Sequence, residues 1–278
     1  MSLPTSPDAG SRRAVLILAS VVAAAVLYGV ANWTGPGQAT DSTLMAVGLG
    51  LTELGFPLEP LRVARTLSVA LVGVVVSVGL VVAAARRRWA SAVRGGLLVA
   101  LTAAGAMLLR TFLPRPWLGD DTYPFNTWPS VHAATATALV LAGAGLLPPS
   151  ARTSATRRGL VVLIGALGAL SIVTLAHRPS DVVCSILLAG AFARLVLPPA
   201  APADGPGEAG AGIAPADAVP LWQLGLLAVS ATILTVAFAV SGAFLLGVLV
   251  NVVWLWFAAA MAVTPVRCRR PRPPAEGR

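Results

Sequence analysis

Charge is what this sequence has least of. Asp, Glu, Lys and Arg make up only 11% of its 278 residues, against about 25% in an ordinary soluble domain, and this excludes a water-exposed globule. Lysine is missing altogether. All 20 basic residues are Arg, a skew that fits a genome with strong codon bias and carries little chemistry. Cysteine occurs twice, as Cys184 and Cys268, too few for a disulfide scaffold or a metal cluster. The topology derived below sets the two near opposite membrane faces, so no bridge between them is expected. What is abundant is apolar, at 56% of the chain with a mean hydropathy of +0.82. A pI near 11.4 is shared with nucleic-acid binders. Here, however, the Arg clusters lie between apolar runs, the pattern of membrane topology, and no nucleic-acid partner is expected.

Eight apolar stretches stand out, at roughly 14–32, 67–85, 95–113, 130–148, 159–177, 181–197, 222–241 and 243–263. Most approach the roughly 20 residues a membrane helix needs. The fold class expected is all-α, a polytopic transmembrane helix bundle. The first stretch follows Ser11-Arg12-Arg13 and lacks a clean small-x-small cleavage site, so it reads as a retained anchor rather than a signal peptide. With the N-terminus cytoplasmic, fifteen Arg fall on the inner side, against Arg62, Arg65, Arg110, Arg115 and Arg178 on the other. That bias places both termini inside. The expected organisation is a six-span core over 1–198, with its motifs within 108–181, and an Ala-, Pro- and Gly-rich cytoplasmic linker over 199–220. A two-span hairpin over 221–264 and a basic tail over 265–278 complete the chain.

The outer ends of three spans gather functional side chains. The only two histidines, His132 and His177, both fall there. His132 sits in Trp128-Pro129-Ser130-Val131-His132, and His177 begins His177-Arg178-Pro179-Ser180-Asp181. Arg110 and Arg115 end the third span. These residue types support phosphoryl transfer through a histidine nucleophile. A neutral imidazole attacks phosphorus while a carboxylate fixes its tautomer and stabilises the resulting cation. Asp181 is four residues from His177, which on a continuous helical turn would place the two side chains together. A second imidazole, with a pKa near 6.5, suits protonation of the leaving oxygen, and Arg115 suits a bidentate grip on phosphate. The fourth and sixth spans would both aim their positive N-terminal ends at this level. Read singly, an interfacial His or Arg is an ordinary helix anchor and a Pro-Ser pair an ordinary cap. The joint pattern is what favours a site.

These residues resemble the motifs of the type 2 phosphatidic acid phosphatase family, which groups lipid phosphate phosphatases with vanadium-dependent haloperoxidases. The family's motifs read Lys-x6-Arg-Pro, Pro-Ser-Gly-His and Ser-Arg-x5-His-x3-Asp. Pro114-Arg115-Pro116 resembles the end of the first, Pro129-Ser130-Val131-His132 the second, and His177 to Asp181 the end of the third. The resemblance covers about residues 67–197 and implies that His177 forms a phosphohistidine, with Asp181 orienting it. It also implies that His132 serves the leaving group and then water, and that Arg115 and Ser130 bind phosphoryl oxygens. No metal or other cofactor is implied. The family's Lys falls on Leu108 and its third-motif Ser-Arg on Leu170-Ser171, so two phosphate-holding cations are absent. Arg110 and Arg178 are the first candidates to compensate, with Arg62 or Arg65 from the outer loop behind them.

A site at the outer membrane level suits an amphiphile whose tail stays in lipid. The loop from Trp117 to Trp128 adds Tyr123 and Phe125, aromatics that mark an interface and could line a lipid entry. The expected partners are therefore the bilayer and a lipid phosphate substrate, a polyprenyl pyrophosphate or a phosphatidyl lipid, at a bacterial plasma membrane. Two other readings use the same residues. One is a non-catalytic relative that binds lipid phosphate, and the other is a phosphotransferase acting through the same histidine.

Overall fold

The structure, a computed structural model, describes residues 9–118, 126–197 and 244–264. Among these every regular element is a helix, without strands: α1 Ala9–Trp33, α2 Gly35–Met45, α3 Val47–Glu53, α4 Leu58–Ala85, α5 Trp89–Phe112, α6 Val131–Leu146, α7 Ser154–Val173, α8 Pro179–Val196 and α9 Phe244–Val263. Six of the described helices (α1, α4, α5, α7, α8 and α9) are long and apolar enough to cross a membrane. The protein is an all-α, multi-pass helix bundle, as expected. The apolar stretch 222–241, the linker 199–220 and Cys268 lie outside the described residues.

The bundle is built around α8. Fourteen of its residues are buried, and α1, α5, α6, α7 and α9 all pack against it. Lipid tails are as apolar as Leu, so close van der Waals packing through small residues must hold such helices together. The sequence supplies them. Buried Ala133, Ala134, Ala136, Ala138 and Ala142 line α6, and Ala189, Gly190, Ala191 and Ala193 line α8. At Gly190 a Cβ would lie 2.8 Å from the Cα of Ala262, so only glycine lets α9 approach this closely. Through that contact and others on α7, α9 docks directly on the helices that carry the motifs.

Two elements differ from the hydropathy reading. The fourth stretch forms a helix of 16 residues rather than 19, ended at Leu147 ahead of Pro148. It rises about 24 Å, short of the roughly 30 Å hydrocarbon core, and is sheathed by its neighbours. The second difference is the pair of short helices α2 and α3 in the connection between α1 and α4, which is too polar to register as a span. Thr34 caps α2 by accepting from the Gly37 amide at 3.0 Å. Gly37 also sits where a Cβ would collide with the Val30 carbonyl oxygen, 2.0 Å away, so the α1–α2 corner requires glycine.

Candidate active site at one end of the bundle

The fifth stretch does not continue to His177. Helix α7 ends at Val173, and Leu175 adopts a left-handed conformation with φ 59°. That turn lets the amides of both Ala176 and His177 donate to the Ser171 carbonyl at 3.2 Å. A leucine at positive φ is strained, and such strain concentrates at functional sites. Helix α8 then starts at Pro179 with Arg178 as its N-cap. Asp181, the third residue of α8, accepts the Arg178 amide at 3.1 Å and the Thr127 hydroxyl at 2.5 Å. His177 Nδ1 faces the same carboxylate oxygen at 3.8 Å, an ion-pair distance beyond hydrogen-bond length. The expected His177–Asp181 proximity therefore holds, but its cause is corrected: the two meet across a helix cap, because His177 lies outside the helix.

His132, the second residue of α6, brings its ring to 6.4 Å from that of His177, centroid to centroid, at 50°. His177 is only 6% exposed and Asp181 is fully buried, whereas His132 is open. Ser130 is buried and caps α6, accepting the Ala133 amide at 3.2 Å. The first two turn-opening amides, of Val131 and His132, stay at the helix's positive end without an intrahelical acceptor. The two motif segments are tied together by backbone. The Ser130 amide donates to the Asp181 carbonyl at 3.3 Å, and the Ser185 hydroxyl donates to the Ser130 carbonyl at 2.9 Å.

The basic residues separate. Arg110 and Arg65 both act electrostatically on His132, and Arg65 Nη1 donates to Thr174 Oγ1 at 3.0 Å, three residues beyond Ser171 in the chain. Arg62 pairs instead with Glu59 one turn away. Arg178 is fully buried, and its Nε donates to Ser42 on α2 at 3.2 Å. Arg115 has both terminal nitrogens buried in a segment held from two sides. The Pro114 carbonyl accepts from Tyr28 at 2.5 Å and the Pro116 carbonyl from Gln38 at 2.7 Å. The two positions where the resemblance would place a cation point elsewhere. Leu108 is 56% exposed on the outside of α5, while Ser171 is buried and donates back to the Leu167 carbonyl at 3.3 Å.

Motif reasoning missed α2 and Thr127. Gln38, Asp41 and Ser42 are all buried, and their i, i+3, i+4 spacing places them on one face of α2. Asp41 accepts the Ser180 amide at 3.0 Å and the Ser180 hydroxyl at 2.5 Å, and so pins the start of α8 from outside. The available signal was a carboxylate in a chain with only 11 acidic residues, set in a polar helical pattern.

Burial, and then the charge of Asp181, push the Asp41 pKa up from 3.8 to about 7, against the opposing bonds from Ser180 and the charge of Arg178. The folded protein thus holds a proton that the unfolded chain releases near pH 4. The stabilisation is complete below that value and is lost as pH rises toward 7. In detergent, the wild-type melting temperature is expected to fall between about pH 4 and 7, with that slope removed in Asp41→Asn. An unchanged slope in the variant would assign it to other groups.

Residues 110–199 match the PAP2 superfamily, a range that takes in the three motif segments from Arg110 through α8. No curated protein and no solved structure matches the chain.

Proposed function

We propose that the protein is an integral-membrane lipid phosphate phosphatase, working at the extracytoplasmic face on a polyprenyl pyrophosphate or phosphatidyl lipid. The observation that carries this reading is the meeting of both histidines of the chain, one against a buried carboxylate, inside the PAP2-matching segment. Nδ1 of His177 faces Asp181, which leaves Nε2 to attack phosphorus. As the N–P bond forms, the bond from phosphorus to the leaving oxygen breaks, and that oxygen takes a proton from His132. The neutral His132 then removes a proton from water, whose oxygen displaces His177 and releases phosphate. Asp181 stabilises the cationic ring in between. Arg65 and Arg110, with the α6 N-terminus, are assigned the charge on the phosphoryl oxygens. Arg115 and Ser130 would complete the cradle, and Arg178 would act chiefly as a clamp between α8 and α2.

The extracytoplasmic assignment rests on the Arg bias. By the sequence count five Arg fall on the histidine side against fifteen on the other, and Arg13, Arg94, Arg152, Arg157 and Arg194 line a cavity at that opposite end. In a Cys268→Ser background, Leu118→Cys is expected to react with an impermeant thiol reagent on intact cells, and Ala155→Cys only after lysis. The reverse pattern would turn the site to the cytoplasm. The same purified protein should release phosphate from at least one of a panel of lipid phosphates. Failure across the panel, with lipid binding kept, would favour the non-catalytic reading.

A further inference from the structure

The end of the bundle opposite the histidines holds a cavity of about 300 Å³. Five arginines from different parts of the chain line it: Arg13 on α1, Arg94 on α5, Arg152 ahead of α7, Arg157 on α7 and Arg194 on α8. No Asp or Glu is among the described residues of its wall. Thr153, which caps α7, adds the positive end of that helix. Much of the remaining wall is apolar, with Leu141 and Leu160 among it. Helix α6 runs from His132 to this cavity, a rise of about 24 Å over its 16 residues, so the two sites are separate.

The arrangement of these charges differs from ordinary stop-transfer anchoring. A snorkelling Arg reaches outward alone, whereas here five line one cavity. Several are locked by carbonyl groups, which orient a guanidinium without cancelling its charge. Arg13 donates to the Leu197 carbonyl at 3.2 Å, and Arg152 to those of Leu147 and Gly145, each at 3.1 Å. Arg194 is only 7% exposed and donates to the carbonyls of Gly190 at 2.9 Å, Thr264 at 3.2 Å and Met261. Its Nε–H has no acceptor among the described residues. A buried, pre-oriented cation of this kind calls for an anionic partner, and guanidinium groups match phosphate oxygens bidentately.

We propose that this cavity binds a phosphate-bearing anion, with the headgroup of an anionic phospholipid seated among the arginines and its chains against the apolar wall. Basic pockets between membrane helices on the Arg-rich side are suited to such headgroups. The test uses the full-length protein in nanodiscs of phosphatidylcholine, with or without phosphatidylglycerol, and inorganic phosphate as the soluble probe. Phosphatidylglycerol is expected to co-purify and to raise the melting temperature by several degrees, while phosphatidylcholine alone does neither. Arg94 makes no bond to the rest of the chain among those described and is exposed, so Arg94→Gln should leave folding intact and weaken lipid binding at least about fivefold. Arg94→Gln with Arg157→Gln should weaken it more than about twentyfold, and His177→Ala should leave it unchanged. Equal stabilisation by inorganic phosphate and by the lipid supports the phosphate site and assigns it to a free anion. Lipid binding unaltered in both Arg variants, or equally strong for phosphatidylcholine, overturns the proposal.

Discussion

Replacing His177 with Ala is expected to lower phosphate release by a factor on the order of 10,000 or more, about 5.5 kcal/mol of barrier, while leaving the fold intact. Its Nδ1 has no hydrogen-bond partner among the described residues, so its removal costs no strong bond. Asp181→Asn should behave differently. The amide can still accept the Arg178 amide that caps α8, but it cannot balance a cationic ring, so a loss of roughly 100-fold is expected. Turnover should persist in a metal chelator, because the proposed chemistry runs through imidazole and carboxylate. Trapping of radiolabelled phosphate on wild-type protein but not on His177→Ala would identify the intermediate directly. Turnover that survives the Ala variant would remove the phosphohistidine mechanism.

The second large effect concerns the cations. Loss of one preorganised donor at a developing negative charge typically costs about 100- to 1,000-fold, and this site lacks two that its family resemblance would lead one to expect. Arg65 and Arg110 are the arginines that act on His132. Each of Arg65→Ala and Arg110→Ala is therefore expected to slow phosphate release about 100-fold, or ~2.7 kcal/mol, with Arg65→Lys recovering part of the loss. Arg178→Ala should instead lower the melting temperature, because it empties a fully buried position bonded to Ser42. Leu108→Lys should restore nothing, since that side chain faces outward from α5, 56% exposed. Activity unchanged in both Arg65→Ala and Arg110→Ala would refute this compensation. A wild type without turnover that gains it in Ser171→Arg would mark a degenerate relative that kept its fold.

Hydropathy and motif spacing are local properties, and what depends on them was legible in the chain itself. The multi-pass helical architecture follows from apolar runs that must satisfy their own backbone in lipid. The gathering of His132, His177 and Asp181 at one end follows from where those runs stop. Even here the local rule went astray at His177. The i, i+4 spacing suggested one helical turn, whereas the chain breaks at Leu175 and brings the pair together through the cap of α8. The tertiary structure alone decided which arginines face the histidines. That choice depends on how α4 and α5 are rotated about their axes, and apolar packing on all sides of a membrane helix leaves little trace of that rotation in sequence. It also decided that Asp41, about 140 residues before Ser180, would fasten the start of α8, and that five separate arginines would enclose one cavity. A contact of that kind depends on two surfaces meeting, and neither segment carries the information by itself.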